Sequence, residues 1–367
     1  MTIEPFALER WFASQPARPR CDLSLSGAHP ITLDALLALA SPEQRQEFAC
    51  LPLGYGPPEG SAALRELIAA RAQAAPDEIL LTCGAIEGLH LAMQALVAAG
   101  DEVVVQDPMY PAVAGLARMR GATVRRWPLA YGASAADRLG ALASLINRAT
   151  RLVAITQPNG PTGTVLQRDE LDAVAQLLDQ RGIHLLSDEV YRDLAIEPGF
   201  VVPTAAGRRR TIVVGDVAKP FGLGGLRIGW LVTRDASVRE RIRALRDYTT
   251  LSVPTPSDAL ARIALEHANA LLVTPLANAR ANLELLRAVA AREDALSFVP
   301  PRAGATAFVH VANAERVQRA LAVEGVLVVP GTFFGDAHRL RIGLAGPSSD
   351  FADALAALRV VVEQRRR

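Results

Sequence analysis

Lys219 is the only lysine among 39 lysine and arginine residues in a chain of 367. It follows an apolar, strand-like run, Thr211-Ile-Val-Val-Gly215, and precedes a glycine-rich turn, Phe221-Gly-Leu-Gly-Gly225, that leads into Arg227. Arginine stays protonated, whereas a lysine amine can give up its proton and form a Schiff base with an aldehyde. A chain that uses arginine for every other positive side chain and keeps one lysine at a strand end points to a covalent amine; an arginine-biased genome that leaves one surface lysine by chance is the alternative. Asp188-Glu189-Val190-Tyr191 follows a second apolar run, Ile183 to Leu186. A carboxylate there can pair with a protonated pyridine nitrogen, and Tyr191, three residues on, can donate to a phenolate oxygen, although an aspartate at a strand end serves equally well as a helix cap. At Cys83-Gly-Ala-Ile-Glu87 a strand meets a helix, so the N–H groups of Gly84, Ala85 and Ile86 can hold a phosphate; an ordinary glycine turn looks the same. Taken together, a lysine amine and an aspartate for a ring nitrogen are what pyridoxal 5′-phosphate (PLP) chemistry requires, because the charged ring then draws electrons from the substrate Cα.

The elements that must carry these residues are legible as short β-branched runs alternating with longer amphipathic ones. Strands are expected at 79–82, 102–105, 122–125, 152–155, 183–186, 212–214 and 228–232, and helices at 86–99, 109–120 and 168–181, the last opening on acids that suit a helix N-terminus. That order predicts an α/β fold, a mostly parallel sheet covered by helices on both faces, with ligands beyond the carboxyl ends of the strands. After about residue 250 the pattern changes to a helical stretch from Pro256 to Arg292, broken near Pro275, then strand-like runs around 298, 308–311, 327–329 and 340–342 and a terminal helix. A smaller α+β domain is the expectation.

With half of its residues apolar, the chain can bury a large core. A net charge of +1 offers no field for nucleic acid or an anionic membrane. The N-terminal ten residues lack the basic and apolar regions of a secretion signal, and no stretch approaches the ~18 apolar residues of a membrane span. Cys21, Cys50 and Cys83 lack metal-ligand spacing and are odd in number, against a disulfide framework. A soluble, cytoplasmic protein is expected, with Arg208–Arg210 and Arg365–Arg367 as solvated turns or ends.

Seven blocks in order resemble the class I/II aminotransferase family, the fold-type I PLP enzymes. They are Tyr55-Gly-Pro-Pro-Glu-Gly60 with Leu64 to Ile68, Gly84 to Gly88, Asp107 to Pro111, Pro158 to Gly163, Asp188 to Tyr191, Lys219 with Arg227, and Arg341 to Ala345. The resemblance covers nearly the whole chain. It implies a large PLP-binding domain over 46–250, a small C-terminal domain over 251–367 and an N-terminal arm, 1–45, that belongs to the small domain. It further implies that Lys219 carries the Schiff base and moves protons at Cα, that Asp188 binds the ring nitrogen, and that Tyr191 binds the 3′-oxygen. Tyr110 would stack on the ring. Arg227, the backbone at Gly84 to Ile86, and Tyr55 from a partner subunit would hold the phosphate, so a homodimer is expected. Arg341 would clamp the substrate α-carboxylate, helped by backbone near Gly27.

The chain departs from the family pattern in three places. The residue before Pro-Thr-Gly is Gly160, with the expected cofactor-binding asparagine, Asn159, one position early; Asp216 and Ala218 replace hydroxyl residues near Lys219; and Ile86 lacks a hydroxyl in the phosphate turn. The resemblance implies an aminotransferase acting on an amino acid and a 2-oxo acid. Residues 247–253 offer hydroxyls and an acid where dicarboxylate enzymes place a second arginine, so a neutral or basic amino acid is expected. The stretches 22–29, 245–252 and 340–343 are similar to those of a family member that dehydrates and cyclises a hydroxyarginine, which makes a PLP-dependent lyase or cyclase the alternative. A non-catalytic descendant is disfavoured by the intact set of Lys219, Asp188, Tyr191, Arg227 and Arg341.

Overall fold

The computed structural model describes residues 3–16, 19–129 and 133–363. All seven runs expected as strands lie in one seven-stranded sheet: β1 (Ile79–Cys83), β2 (Glu102–Asp107), β3 (Thr123–Pro128), β4 (Thr150–Thr156), β5 (His184–Asp188), β6 (Thr211–Asp216) and β7 (Ile228–Val232). Their order across the sheet is β1-β7-β6-β5-β4-β2-β3. Neighbours are parallel except that β7 runs against both β1 and β6. Near-continuous apolar runs follow from burial of both faces, since successive side chains point to opposite sides. Thus Val104, Val153, Leu185 and Val213 join one core, while their neighbours Val103, Leu152, Leu186 and Ile212 join the other.

Helices cover both faces. α1 (Ala7–Ala13) lies at the N-terminus; α2 (Ala85–Leu96), α3 (Ala112–Met119) and α5 (Ala236–Arg246) pack into the second core, and α4 (Arg168–Gln180) packs into the first. α4 opens as its acids predict: the Glu170 carboxylate accepts the backbone N–H of Gln167 at 3.0 Å. Arg208, Arg209 and Arg210 form a surface turn, as expected, and are ion-paired with Asp172 and Asp179 of α4. Arg365–Arg367 lie outside the described residues.

The expected break at Pro275 is displaced. α6 (Thr255–Glu266) and α7 (Ala268–Ala290) are separated at His267, and Pro275 is buried inside α7. Leu272 and Leu276 of α7 pack on the cores flanking the large sheet while Ala279, Leu283 and Leu286 enter the C-terminal core. Packing at both ends offsets the ~3 kcal/mol that an interior proline costs. The C-terminal core is built on a four-stranded sheet of Leu296–Ser297, Thr306–Val311, Val329–Pro330 and Arg339–Gly343, with α8 (Ser348–Glu363) packed against it. Cys21–Asp22 pairs in parallel with Val326–Leu327, which ties the N-terminal segment to this part of the molecule. No helix among the described residues is long and apolar enough to cross a membrane.

Candidate active site

The parallel strands end at one edge of the sheet, and the functional candidates collect there. Asp188 is the last residue of β5 and Asp216 the last of β6. Because β7 runs the other way, it starts at this edge, and Arg227 immediately precedes it. A cavity of about 490 Å³ lies between this edge, α1, the segment Ser24–Ser26 and Arg341 on the small sheet.

Lys219 sits on a single helical turn, Ala218–Phe221. Asp216 holds that turn: its Oδ1 accepts the N–H groups of Ala218 at 3.0 Å and Lys219 at 3.2 Å. The unusual acid therefore spends its charge on the lysine's own backbone. Burial pushes its pKa up, and the charges of Lys219 and Arg227 act against that. Lys219 Nζ enters the cavity and donates to Ser26 Oγ at 3.0 Å. Gly27 presses on the same turn. A Cβ there would stand 2.7 Å from the Lys219 carbonyl oxygen, which accepts the N–H of Ala28 at 2.8 Å.

The Asp188 carboxyl group is buried, and its Oδ1 accepts the N–H of Val190 at 3.3 Å. Burial pushes its pKa up to about 7; the Val190 N–H opposes this and the charge of Asp216 adds to it. Such a carboxylate is short of a cation, and a protonated ring nitrogen supplies one. Glu189 faces away, accepting from Ser187 Oγ and the Ala205 N–H. The Tyr191 ring packs against Gly160, where an added Cβ would lie 2.9 Å from Cε2. A glycine at 160 thus lets the phenol ring approach the backbone.

Asn159 does not point into the cavity, contrary to expectation. Its Nδ2 donates to Gln106 Oε1 at 2.9 Å and the Pro108 carbonyl at 2.8 Å, and its Oδ1 accepts from Thr162. The carboxamide is satisfied in holding the loop that carries Tyr110, and Gly160 lines the cavity in its place. Tyr110 donates its hydroxyl to Glu9 at 2.9 Å and meets Phe6 edge-on at 5.4 Å. Burial, with Glu9 beside it, drives the Tyr110 pKa far upward, so the phenol remains a donor.

At the other end of the cavity, Gly84 starts α2 with φ +74°, and no side chain caps the helix. Arg227 lies over this start: its Nη2 donates to the Cys83 carbonyl at 3.4 Å, and a Cβ on Gly84 would stand 2.3 Å from that nitrogen. Free N–H groups at Ala85 and Ile86, the helix dipole and a guanidinium make an anion site.

Arg341, in Arg339–Gly343, is buried between the rings of Phe12 and Phe334, at 5.9 and 5.3 Å. Its Nη2 donates to the Ser24 carbonyl at 2.6 Å, while its buried Nε has no partner. Burial draws its pKa down, and Tyr191, Tyr110 and Glu9 oppose that. An unpaired buried N–H on a cation calls for an anionic acceptor, as a substrate carboxylate provides.

The family profile described as aminotransferase class I and II matches residues 43–358. The chain belongs to that family. It is an enzyme of the PLP-dependent class, and its cofactor is pyridoxal 5′-phosphate. Capreomycidine synthase of Streptomyces vinaceus is 36% identical over 358 residues, covering 96% of this chain and 92% of that protein. A PLP-dependent aminotransferase from Streptococcus suis superposes with a TM-score of 0.91 at 27% identity over 99% of both chains. The PLP-dependent cyclase OrfR superposes with a TM-score of 0.88 at 29% identity, covering 100% of this chain and 98% of that one. The fold is therefore fold-type I, and the similarity to a cyclase expected from three short stretches extends over nearly the whole chain.

Of the residues singled out in the sequence, Lys219, Asp188, Tyr191, Tyr110, Ala85, Ile86, Arg227 and Arg341 share this cavity. Gly27 and Gly84 stand behind it as close-contact positions. Tyr55 is 90% exposed and lies outside this chain's own cavity. The sequence reading missed the wall formed by α1, where Phe6, Leu8, Glu9 and Phe12 line the site, and also Ser26 and Phe334. Leu8 with Trp11 and Phe12, three and four residues on, is the periodic signal in that short helix.

Proposed function

We propose that the protein takes the Cα proton from a neutral or basic amino acid and directs the product toward elimination with ring closure. The observation that carries the first part is the meeting of Lys219 Nζ, the Asp188 carboxyl and the half-satisfied Arg341 guanidinium on one cavity. When bound, PLP supplies an aldehyde for amines and a conjugated ring that takes up the electron pair left at Cα. Arg341 holds the α-carboxylate through Nε and Nη1, with Phe12 and Phe334 excluding water around it. Lys219 Nζ takes the proton from Cα, with Ser26 Oγ steering the amine. Asp188 would keep the ring nitrogen protonated, Tyr191 would donate to the 3′-oxygen, and Tyr110 would take the ring-facing side of the cavity. Arg227 and the first N–H groups of α2 would hold the phosphate.

The nearer likeness to a cyclase-type relative supports elimination over the transamination expected first, and the cavity's cations limit which 2-oxo acid a transaminase could use. The 36% likeness to capreomycidine synthase spans 96% of the chain, against 82% for a 27%-identical aspartate aminotransferase of Thermotoga maritima. The cations lining the cavity among the described residues are Lys219, Arg227 and Arg341, so a second carboxylate on a 2-oxo acid has no partner in this chain. Arg246 is buried elsewhere, donating to the Pro58 carbonyl. Transamination with a monocarboxylic 2-oxo acid is the second reading, supported by the Streptococcus suis aminotransferase. The test is incubation of holoenzyme with 3-hydroxy-L-arginine and no 2-oxo acid. Repeated turnover with loss of water supports the proposal, and a single turnover that converts the cofactor to its amine form refutes it in favour of transamination.

We also propose a cytoplasmic homodimer in which the exposed Tyr55 completes the neighbour's phosphate site and residues 247–253 line its pocket. The three-part division at 45/46 and 250/251 is proposed likewise, with the pairing of Cys21–Asp22 to Val326–Leu327 in its support.

A further inference from the structure

Glu9 is a carboxylate in the cavity wall that the roles above leave unused. It lies on α1, half-buried, with Phe6, Leu8 and Phe12 as its apolar neighbours in the lining. Its Oε1 accepts the Tyr110 hydroxyl at 2.9 Å, the one side-chain hydrogen bond it makes among the described residues, and its charge also acts on Arg341. The cavity's other two carboxylates are engaged, since Asp216 caps the Lys219 turn and Asp188 lies at the ring-nitrogen end. Phe12, which packs on the Arg341 guanidinium, is one turn further along α1 than Glu9, about 4.5 Å along the helix axis. One short helix therefore both packs on the α-carboxylate anchor and carries a carboxylate at side-chain distance from it.

We propose that Glu9 receives a cationic end of the substrate side chain, a guanidinium or ammonium group; this narrows the amino-acid reading above to basic substrates and rests on it. Tyr110 pins one carboxylate oxygen and leaves the other to accept a charge-assisted hydrogen bond. The aromatic and aliphatic wall takes the methylene stem, and lowers the local dielectric around the pair. An acidic side chain meets like charge at the same position.

The experiment titrates PLP-loaded wild type and Glu9→Gln with L-arginine and with L-citrulline, its uncharged isostere, by calorimetry, and follows Cα–H exchange in deuterated water by NMR. Glutamine keeps an acceptor for Tyr110, removes the charge and turns the second oxygen's position into a donor. Wild type should bind arginine about 10- to 100-fold more tightly than citrulline, the range for one charge-assisted contact. In Glu9→Gln the preference should collapse to about 2-fold, through weaker arginine binding alone. Retention of the preference in Glu9→Gln, or its absence in wild type while Cα–H exchange proceeds with both ligands, overturns the role of Glu9 and leaves the amino-acid reading standing. Wild type that binds neither and exchanges neither Cα–H overturns that reading and the Glu9 role with it.

Discussion

Asp188→Asn in the cofactor-free protein is expected to stabilise the fold, in a way that pH reveals. The carboxyl is buried, with its pKa raised from 3.8 to about 7. Between those values the unfolded chain carries the charge and the folded chain carries the proton, so wild-type stability falls as pH rises through that window and levels off above pH 7. At 1.36 kcal/mol per pH unit the rise corresponds to ~4 kcal/mol. The asparagine keeps the Val190 N–H acceptor but brings an unpaired N–H₂ into the pocket, at a cost of about 1–2 kcal/mol, leaving a net gain of about 2–3 kcal/mol above pH 7. Thermal melts of both apo-proteins from pH 5 to 8.5 measure this: the variant's advantage should grow to about pH 7 and then stay flat. With PLP the sign should reverse, because the ring nitrogen then needs the anion, and Cα–H exchange should slow strongly. A melting difference that is independent of pH, or an apo-variant less stable than wild type at pH 8, would refute the electrostatic account of Asp188.

Lys219→Ala should lose the visible absorbance band of the lysine-bound cofactor and reduce turnover by orders of magnitude, as spectroscopy and steady-state rates will record. Gly160→Ala should destabilise the protein by about 1–3 kcal/mol and displace Tyr191, because the new methyl meets the ring at 2.9 Å; a melt within error of wild type would contradict that contact. Gly84→Ala should weaken PLP binding by pushing Arg227 off the start of α2, an effect that fluorescence titration of the apo-protein with PLP can follow. Sedimentation velocity at micromolar concentration should give a dimer, and Tyr55→Ala should retain the dimer while lowering PLP affinity.

The seven strands of the large sheet and their covering helices were legible because burial of both sheet faces forces continuous β-branched runs, and the helices keep their own period. The lysine, the aspartate and the glycine turn were legible because each falls where a strand stops. What local pattern misled was Pro275, where packing against two cores outweighed one missing hydrogen bond. Asn159 was assigned to the cofactor by its type, but whether its amide faced the cavity depended on Gln106, which is 53 positions away in the chain. Asp216 stood out only as a departure from the family pattern, and its use, holding the Lys219 turn, depended on where its carboxylate points.

Residue types and strand ends thus determined which chemistry the chain can carry, since a Schiff-base amine and a ring-nitrogen carboxylate have few substitutes. Only the tertiary structure decided what else faces that chemistry. Glu9 reaches Tyr110 across 101 positions, Ser26 reaches Lys219 across 193, and the Ser24 carbonyl meets Arg341 across 317. These contacts arise where an N-terminal segment is drawn across the strand edge by the pairing of Cys21–Asp22 with Val326–Leu327. No periodicity within seven residues of helix encodes that placement, because it is set by long-range strand pairing and by the burial of Leu8 and Phe12 against the far end of the chain.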